Sequence, residues 1–215
     1  MKKILNKIDK KPILITIGVI IIQSFFFFIT KLFQGEAHVI GNVIDDKIPF
    51  INYFIIPYCI WYLLLLIVPY YYYKKDKDLF VKYITSYLIC ALSANVIFLI
   101  YPTIVIRPEL ENNNIFNIIT NFIYWVDTPA INCFPSMHCA IAMLFIITIN
   151  ILKDTKKSYR ILLTILSIII MIATLCTKQH VFIDFIAGDI LMCIVYIIVA
   201  KNKKLTNKVK KMLKL

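Results

Sequence analysis

Residues 13–32 read Ile-Leu-Ile-Thr-Ile-Gly-Val-Ile-Ile-Ile-Gln-Ser-Phe-Phe-Phe-Phe-Ile-Thr-Lys-Leu, and no charge interrupts the run before Lys31. A helix needs about 20 mostly apolar residues to cross roughly 30 Å of hydrocarbon. This run is that long. It exceeds the apolar region of a cleavable signal peptide, and no small-residue cleavage site closes it, so it reads as an uncleaved signal anchor. Five further apolar runs follow, at about 50–71, 80–101, 137–152, 161–175 and 181–200. The predicted fold is all-α: a polytopic membrane protein with six transmembrane helices in a bundle. Residues 1–215 form a single integral membrane domain that ends in a basic tail, 201–215. The second run closes on Pro69-Tyr70-Tyr71-Tyr72-Tyr73, which suits an interfacial aromatic belt.

Composition agrees. Sixty per cent of the 215 residues are hydrophobic and mean hydropathy is +0.80, against roughly 45–50% apolar in soluble domains. With 17% charged residues and only four glycines, disorder and collagen-like repeats are excluded.

The formal charge of +12 would suit nucleic acid on its own. Here the lysines cluster at the ends of apolar runs, so anionic lipid headgroups are the expected partner and nucleic acid is not. The N-terminal segment, the loops after runs two and four and the tail hold all but four of the 24 basic residues; the exceptions are Lys31, Lys47, Arg107 and Lys178. The positive-inside rule then places both termini in the cytoplasm, and an even number of spans agrees in putting them on one side. The tail mixes lysines with Leu205, Val209, Met212 and Leu213. It suits either a solvated stop-transfer tail or an amphipathic segment lying on anionic lipid.

Ionisable residues at the other, outer face are the informative ones. His38, His138 and His180 all fall there, with Arg107, Asp127 and Lys178. Pro135-Ser136 immediately before an apolar run is a helix-start signal with Ser136 near the cap. The free N–H groups and positive dipole end of such a start attract phosphate, and His138 sits in the first turn. His180 and Asp184 are spaced i, i+4, on one helix face. The carboxylate can accept a proton from one imidazole nitrogen, fixing the tautomer and leaving the other nitrogen free to attack. Lys178 is placed to neutralise an incoming anion. Cations, an in-line nucleophile and an acid for the leaving group are what phosphoryl transfer needs.

At these residues the chain resembles the membrane-bound type-2 phosphatidic acid phosphatase superfamily, especially its branch related to inositol phosphorylceramide synthases. That family carries K-x6-R-P, P-S-G-H and S-R-x5-H-x3-D motifs on a six-helix core. The corresponding segments are Tyr101–Pro108, Pro135–His138 and Ala173–Asp184. The resemblance implies a lipid phosphate substrate and no cofactor or metal. It assigns His180 as the nucleophile that becomes phosphohistidine, Asp184 as its orienting partner and His138 as the general acid. Arg107 and Ser136 would be phosphate ligands. The first-motif lysine is missing, Met137 replaces the second-motif glycine, and Ala173 and Thr174 replace the third-motif serine and arginine. Lys178 is the candidate to supply the lost charge, as a third phosphate ligand.

The expected activity is hydrolysis of a phosphomonoester or pyrophosphate on a membrane lipid of phosphatidate, phosphatidylglycerophosphate or polyprenyl type. Transfer of the phosphoryl group to an alcohol is the alternative within the same chemistry. A small transporter using Asn95, Asn150 and Asp189 is the alternative from another class, with Asp189 otherwise expected to pair with a polar side chain. A zinc site from His138, His180 and Asp184 would match no closed ligand spacing. Among the six cysteines, Cys133, Cys139 and Cys176 approach the outer face, where a disulfide is conceivable, although no CxxC spacing marks one. Oligomeric state is not encoded in any of these features.

Overall fold

The computed structural model describes residues 9–215; the basic residues Lys2, Lys3 and Lys7 lie outside the described residues. The described residues are predominantly helical, and six apolar helices form a bundle. α1 spans Lys10–Leu32, capped by the Asp9 side chain on the Lys11 N–H. A short helix, α2 (Val43–Lys47), is closed by a capping box between Asn42 and Asp45. A single 3-10 turn, Asn52–Phe54, leads into α3 (Ile55–Lys75). α4 (Lys77–Ile100) follows after Asp76 alone, whose carboxylate caps it on Leu79. α5 is Ile115–Val126 and α6 is Met137–Ile151. α7 (Lys157–Cys176), α8 (Phe182–Lys201) and the tail helix α9 (Lys203–Met212) complete the chain. Two-residue strands, β1 (His38–Val39) and β2 (Thr103–Ile104), pair in parallel above the bundle.

The six expected spans correspond to α1, α3, α4, α6, α7 and α8. Five are long and apolar enough to cross a membrane. α6, at 15 residues, is only about 22 Å long at 1.5 Å per residue. It can be short because it meets little lipid: Cys139, Ala140, Ile141, Ala142, Leu144 and Phe145 are all fully buried between α4, α7 and α8. α4 is likewise central, with Tyr83, Tyr87, Ala91 and Ala94 enclosed. Apolar residues on α1, α7 and α8, among them Phe25, Ile165 and Ile190, are exposed. That is the pattern of helices that turn one face to lipid and hydrogen-bond their backbones internally. The protein is an integral membrane protein of all-α class.

Three segments make contacts that the sequence did not specify. The tyrosine run lies within the last turns of α3, which continues to Lys75; Tyr72 is fully buried, and its hydroxyl accepts from Thr148 Oγ1 at 2.9 Å. Between β2 and α6, α5 forms behind an Asn114 cap. The tail is helical over Lys203–Met212. α9 lies against α4 and α8, Leu205 and Leu215 pack on the core, and Lys210 Nζ meets Asp78 Oδ1 at 2.5 Å.

Candidate active site

His180, Asp184, His138 and Arg107 converge at the end of the bundle where α7 turns into α8, while His38 stands apart, stacked on Tyr101. α7 closes with the Thr177 N–H on the Ala173 carbonyl, and both Gln179 and His180 donate their N–H to the Thr174 carbonyl at 3.0 and 3.1 Å. Lys178 takes the left-handed conformation, φ 52°, that this reversal requires. His180 is thereby held at the mouth of the turn. One helical turn on, Asp184 Oδ2 lies 3.2 Å from His180 Nδ1 and accepts the Val181 N–H at 3.2 Å. Asp184 is fully buried, in the first turn of α8 where a carboxylate suits the helix dipole. Its pairing with Nδ1 leaves His180 Nε2 as the open nitrogen.

His138 approaches from α6, its ring centroid 5.7 Å from that of His180. Aromatic side chains of α3 clamp it, Trp61 at 4.3 Å and Tyr58 at 4.7 Å between centroids. The two helices are stitched together behind the rings, where the Ser136 N–H donates to the Asp184 carbonyl at 3.0 Å. Gly188 makes this approach possible. A Cβ there would overlap the Ser136 carbonyl oxygen and lie 3.3 Å from the Ala140 nitrogen.

Arg107, from the stretch after β2, supplies the cation. Its Nη2 donates to Asp127 Oδ2 at 2.5 Å and to Gln179 Oε1 at 2.6 Å. The guanidinium lies 4.8 Å over the Tyr124 ring, and the Tyr124 hydroxyl donates to the Thr177 carbonyl at 2.6 Å. Asp127, at the end of α5, also accepts from Lys31 Nζ at 2.9 Å through its other oxygen.

Four buried polar atoms around His180 have no partner among the described residues: Arg107 Nε, Gln179 Nε2, His138 Nε2 and Asp184 Oδ1. Buried polar groups are almost always satisfied, and leaving a donor empty costs about 1–3 kcal/mol. Three of the four atoms belong to groups that can donate, in a space beside an imidazole, and they suit the oxygens of an anion. His180 also lines two cavities. One, of about 250 Å³, is walled by aromatic and aliphatic side chains that include Phe27, Tyr58, Trp61 and Met137. The other, of about 710 Å³, is more polar and is lined by Asp45, Asp46, Arg107 and Lys178.

Of the sequence-predicted site residues, His180, Asp184, His138 and Arg107 are brought together. Ser136 and Lys178 sit differently. Ser136 is fully buried and lines neither cavity; its Oγ accepts from Cys139 N as the α6 cap. Lys178 Nζ donates to the Asp45 carbonyl at 2.9 Å and the Ile48 carbonyl at 2.5 Å, so it fastens the α2 segment over the site rather than presenting a free ammonium. Gln179, Asp127, Lys31 and Trp61 had no expected role. Only Lys31 and Asp127 gave a signal, as charges at a membrane face with few of them.

His138, His180 and Asp184 do not assemble into a metal-ligand group among the described residues. Of the polar residues proposed for transport, Asn95 and Asn150 are spent on helix contacts. Asn95 meets Thr30 Oγ1 at 3.3 Å, and Asn150 donates to Thr164 Oγ1 at 3.1 Å. Asp189 Oδ1, expected to be paired, has no partner among the described residues. All six cysteines are free thiols.

The family model described as the PAP2 superfamily matches residues 32–198. The chain belongs to the PAP2 superfamily. The match spans α2 through nearly all of α8, including every residue of the His180 cluster except Lys31. Members of the superfamily are phosphoric ester hydrolases or phosphotransferases, so the chain handles phosphoryl groups in a membrane setting. No curated protein and no solved structure gives a match.

Proposed function

We propose that this protein is a lipid phosphatase that hydrolyses a phosphomonoester or pyrophosphate of a membrane lipid through a phosphohistidine at His180. The observation that carries the reading is the Asp184-oriented His180, with His138 5.7 Å away and Arg107 anchored beside it. The apolar cavity suits the hydrocarbon of a lipid, and the orphaned donors suit its phosphate.

Asp184 accepts the Nδ1 proton, so the Nε2 lone pair of His180 attacks phosphorus and the bond to the lipid oxygen breaks. His138 protonates that oxygen as it leaves. The Arg107 fork, held by Asp127 and Gln179, stabilises the charge on the equatorial oxygens. Water from the polar cavity then gives its proton to His138 and attacks phosphorus. The P–N bond breaks, and phosphate and free His180 are regenerated.

The opposite end of the bundle carries Lys10, Lys11, Lys74, Lys75, Lys77 and the lysines of α9. The positive-inside rule therefore supports a cytoplasmic position for both termini, with His180 opening on the outer face. The same lysines favour anionic lipid at the cytoplasmic face.

The test is phosphate release by purified protein from phosphatidate, phosphatidylglycerophosphate and polyprenyl pyrophosphate in detergent, with and without chelator. Half the reactions include glycerol, choline or inositol. Release that needs no acceptor and survives the chelator is the expected result. Product formed only with an added alcohol would instead make the protein a phosphotransferase. A folded, monodisperse protein silent in both arms would overturn the reading.

A further inference from the structure

One wall of the apolar cavity is not explained by the chemistry at phosphorus. α1 contributes Ile20, Gln23, Ser24, Phe27 and Phe28 to its lining. Ile20 and Phe28 lie eight positions apart, about 12 Å along the helix, far longer than a phosphate group needs. The family match begins at Leu32, the last residue of α1, so this wall precedes the segment that carries the family signature.

α1 is thinly packed for so exposed a job. Its buried residues are Pro12, Thr16, Val19 and Thr30, while Phe25, Phe26, Phe28 and Leu32 are exposed. Its end at the site packs through Phe27 on Phe98 and is fastened by polar contacts. Lys31 Nζ donates to Asp127 Oδ1 at 2.9 Å and to the Pro129 carbonyl at 3.0 Å, and it lies 4.9 Å over the Phe27 ring. Asn132 Nδ2 donates to the Phe27 carbonyl at 2.9 Å. The side chains of Lys31 and Arg107 are each only 9% exposed, and they take opposite oxygens of the one Asp127 carboxylate. A lysine so buried is costly unless paired, and here its pairing couples the α1 wall to the guanidinium.

We propose that Lys31 is a positioning and specificity residue. Through Asp127 it holds α1 as the wall against which the hydrocarbon chain of the substrate packs, in register with Arg107. The proposal rests on the lipid phosphatase reading for the identity of the ligand. It makes the substrate a lipid phosphate whose chain is gripped inside the protein, rather than one whose phosphate alone is recognised. Removal of Lys31 therefore weakens the hold on the chain and leaves the hold on phosphate intact, because Asp127 keeps Arg107 as its partner.

The experiment is binding of two uncleavable ligands, a long-chain alkylphosphonate and methylphosphonate, to the purified full chain in detergent. Wild type, Lys31→Met and Lys31→Arg are compared, and thermal melting monitors the fold. The expected result is that Lys31→Met weakens the long-chain ligand at least fivefold and methylphosphonate less than twofold, while Lys31→Arg restores the long-chain affinity. Equal weakening of both ligands would place Lys31 at the phosphate and overturn the proposal. Unchanged long-chain affinity in a folded Lys31→Met protein would overturn it as well. Because binding needs no turnover, failure of the phosphatase reading shows separately, as absence of phosphate release from wild type.

Discussion

Gly188 of α8 and Ser136 at the start of α6 are packed so closely that a single methyl group on Gly188 would overlap the Ser136 carbonyl oxygen. This contact sets the distance between the helix that carries His138 and the helix that carries Asp184, whose carbonyl accepts the Ser136 N–H. Backbone atoms, not a flexible side-chain tip, stand in the way. Gly188→Ala is therefore expected to push α6 and α8 apart. The account predicts at least a tenfold loss in kcat/KM, about 1.4 kcal/mol of transition-state stabilisation, together with a lower Tm. Kinetics and melting on one preparation check both, and an active, unshifted Gly188→Ala protein would show that the spacing is not critical.

Asp184 is fully buried and holds His180 through Nδ1. Asp184→Asn keeps the shape while replacing an acceptor by a group whose amide can donate, so the imidazole is free to present the wrong tautomer. Turnover is expected to fall by two orders of magnitude or more with little change in KM, as for an interaction made only in the transition state. A drop within threefold would mean that Asp184 serves only as the cap of α8.

Cys133 sits in the turn before α6, 2% exposed, and burial pushes its thiol up to about 12. The thiolate is the reactive species, so the native thiol is nearly inert at neutral pH. Maleimide labelling of Cys133, read by peptide mass spectrometry, should be at least a hundred times slower in the native protein than after denaturation. The native rate should rise as pH increases towards the thiol pKa, because deprotonation is what supplies the thiolate. Rapid native labelling at pH 7 would contradict the enclosed position of the turn.

How much of this was legible in the sequence varies with the range of the interaction. The membrane helices were, because a run such as residues 13–32 reports its own burial through composition. The His180–Asp184 pair was, because helix periodicity alone puts i and i+4 on one face. The Ser136 cap of α6 was legible, but its direction was not: a helix start can attract an anion, and here Ser136 instead faces the Gly188 contact. The contacts of Lys178 were not legible for a related reason. Its charge was visible, whereas the Asp45 and Ile48 carbonyls that bind it lie more than 100 residues away in sequence. The Lys31–Asp127–Arg107 bridge joins three separate segments, and nothing local in any of them names the others. α5 could have been found, since Asn113 and Asn114 precede an apolar run as an N-cap should. The two-residue strands β1 and β2 are too short to show any period.

The central claim is that His180 carries the phosphoryl group. The most direct test is to incubate the protein with a lipid substrate radiolabelled in its terminal phosphate, quench in alkali and digest. The account predicts an acid-labile, alkali-stable label on the peptide that contains His180, absent from His180→Ala. Substrate turnover with no label on that peptide, or turnover retained by His180→Ala, would contradict it.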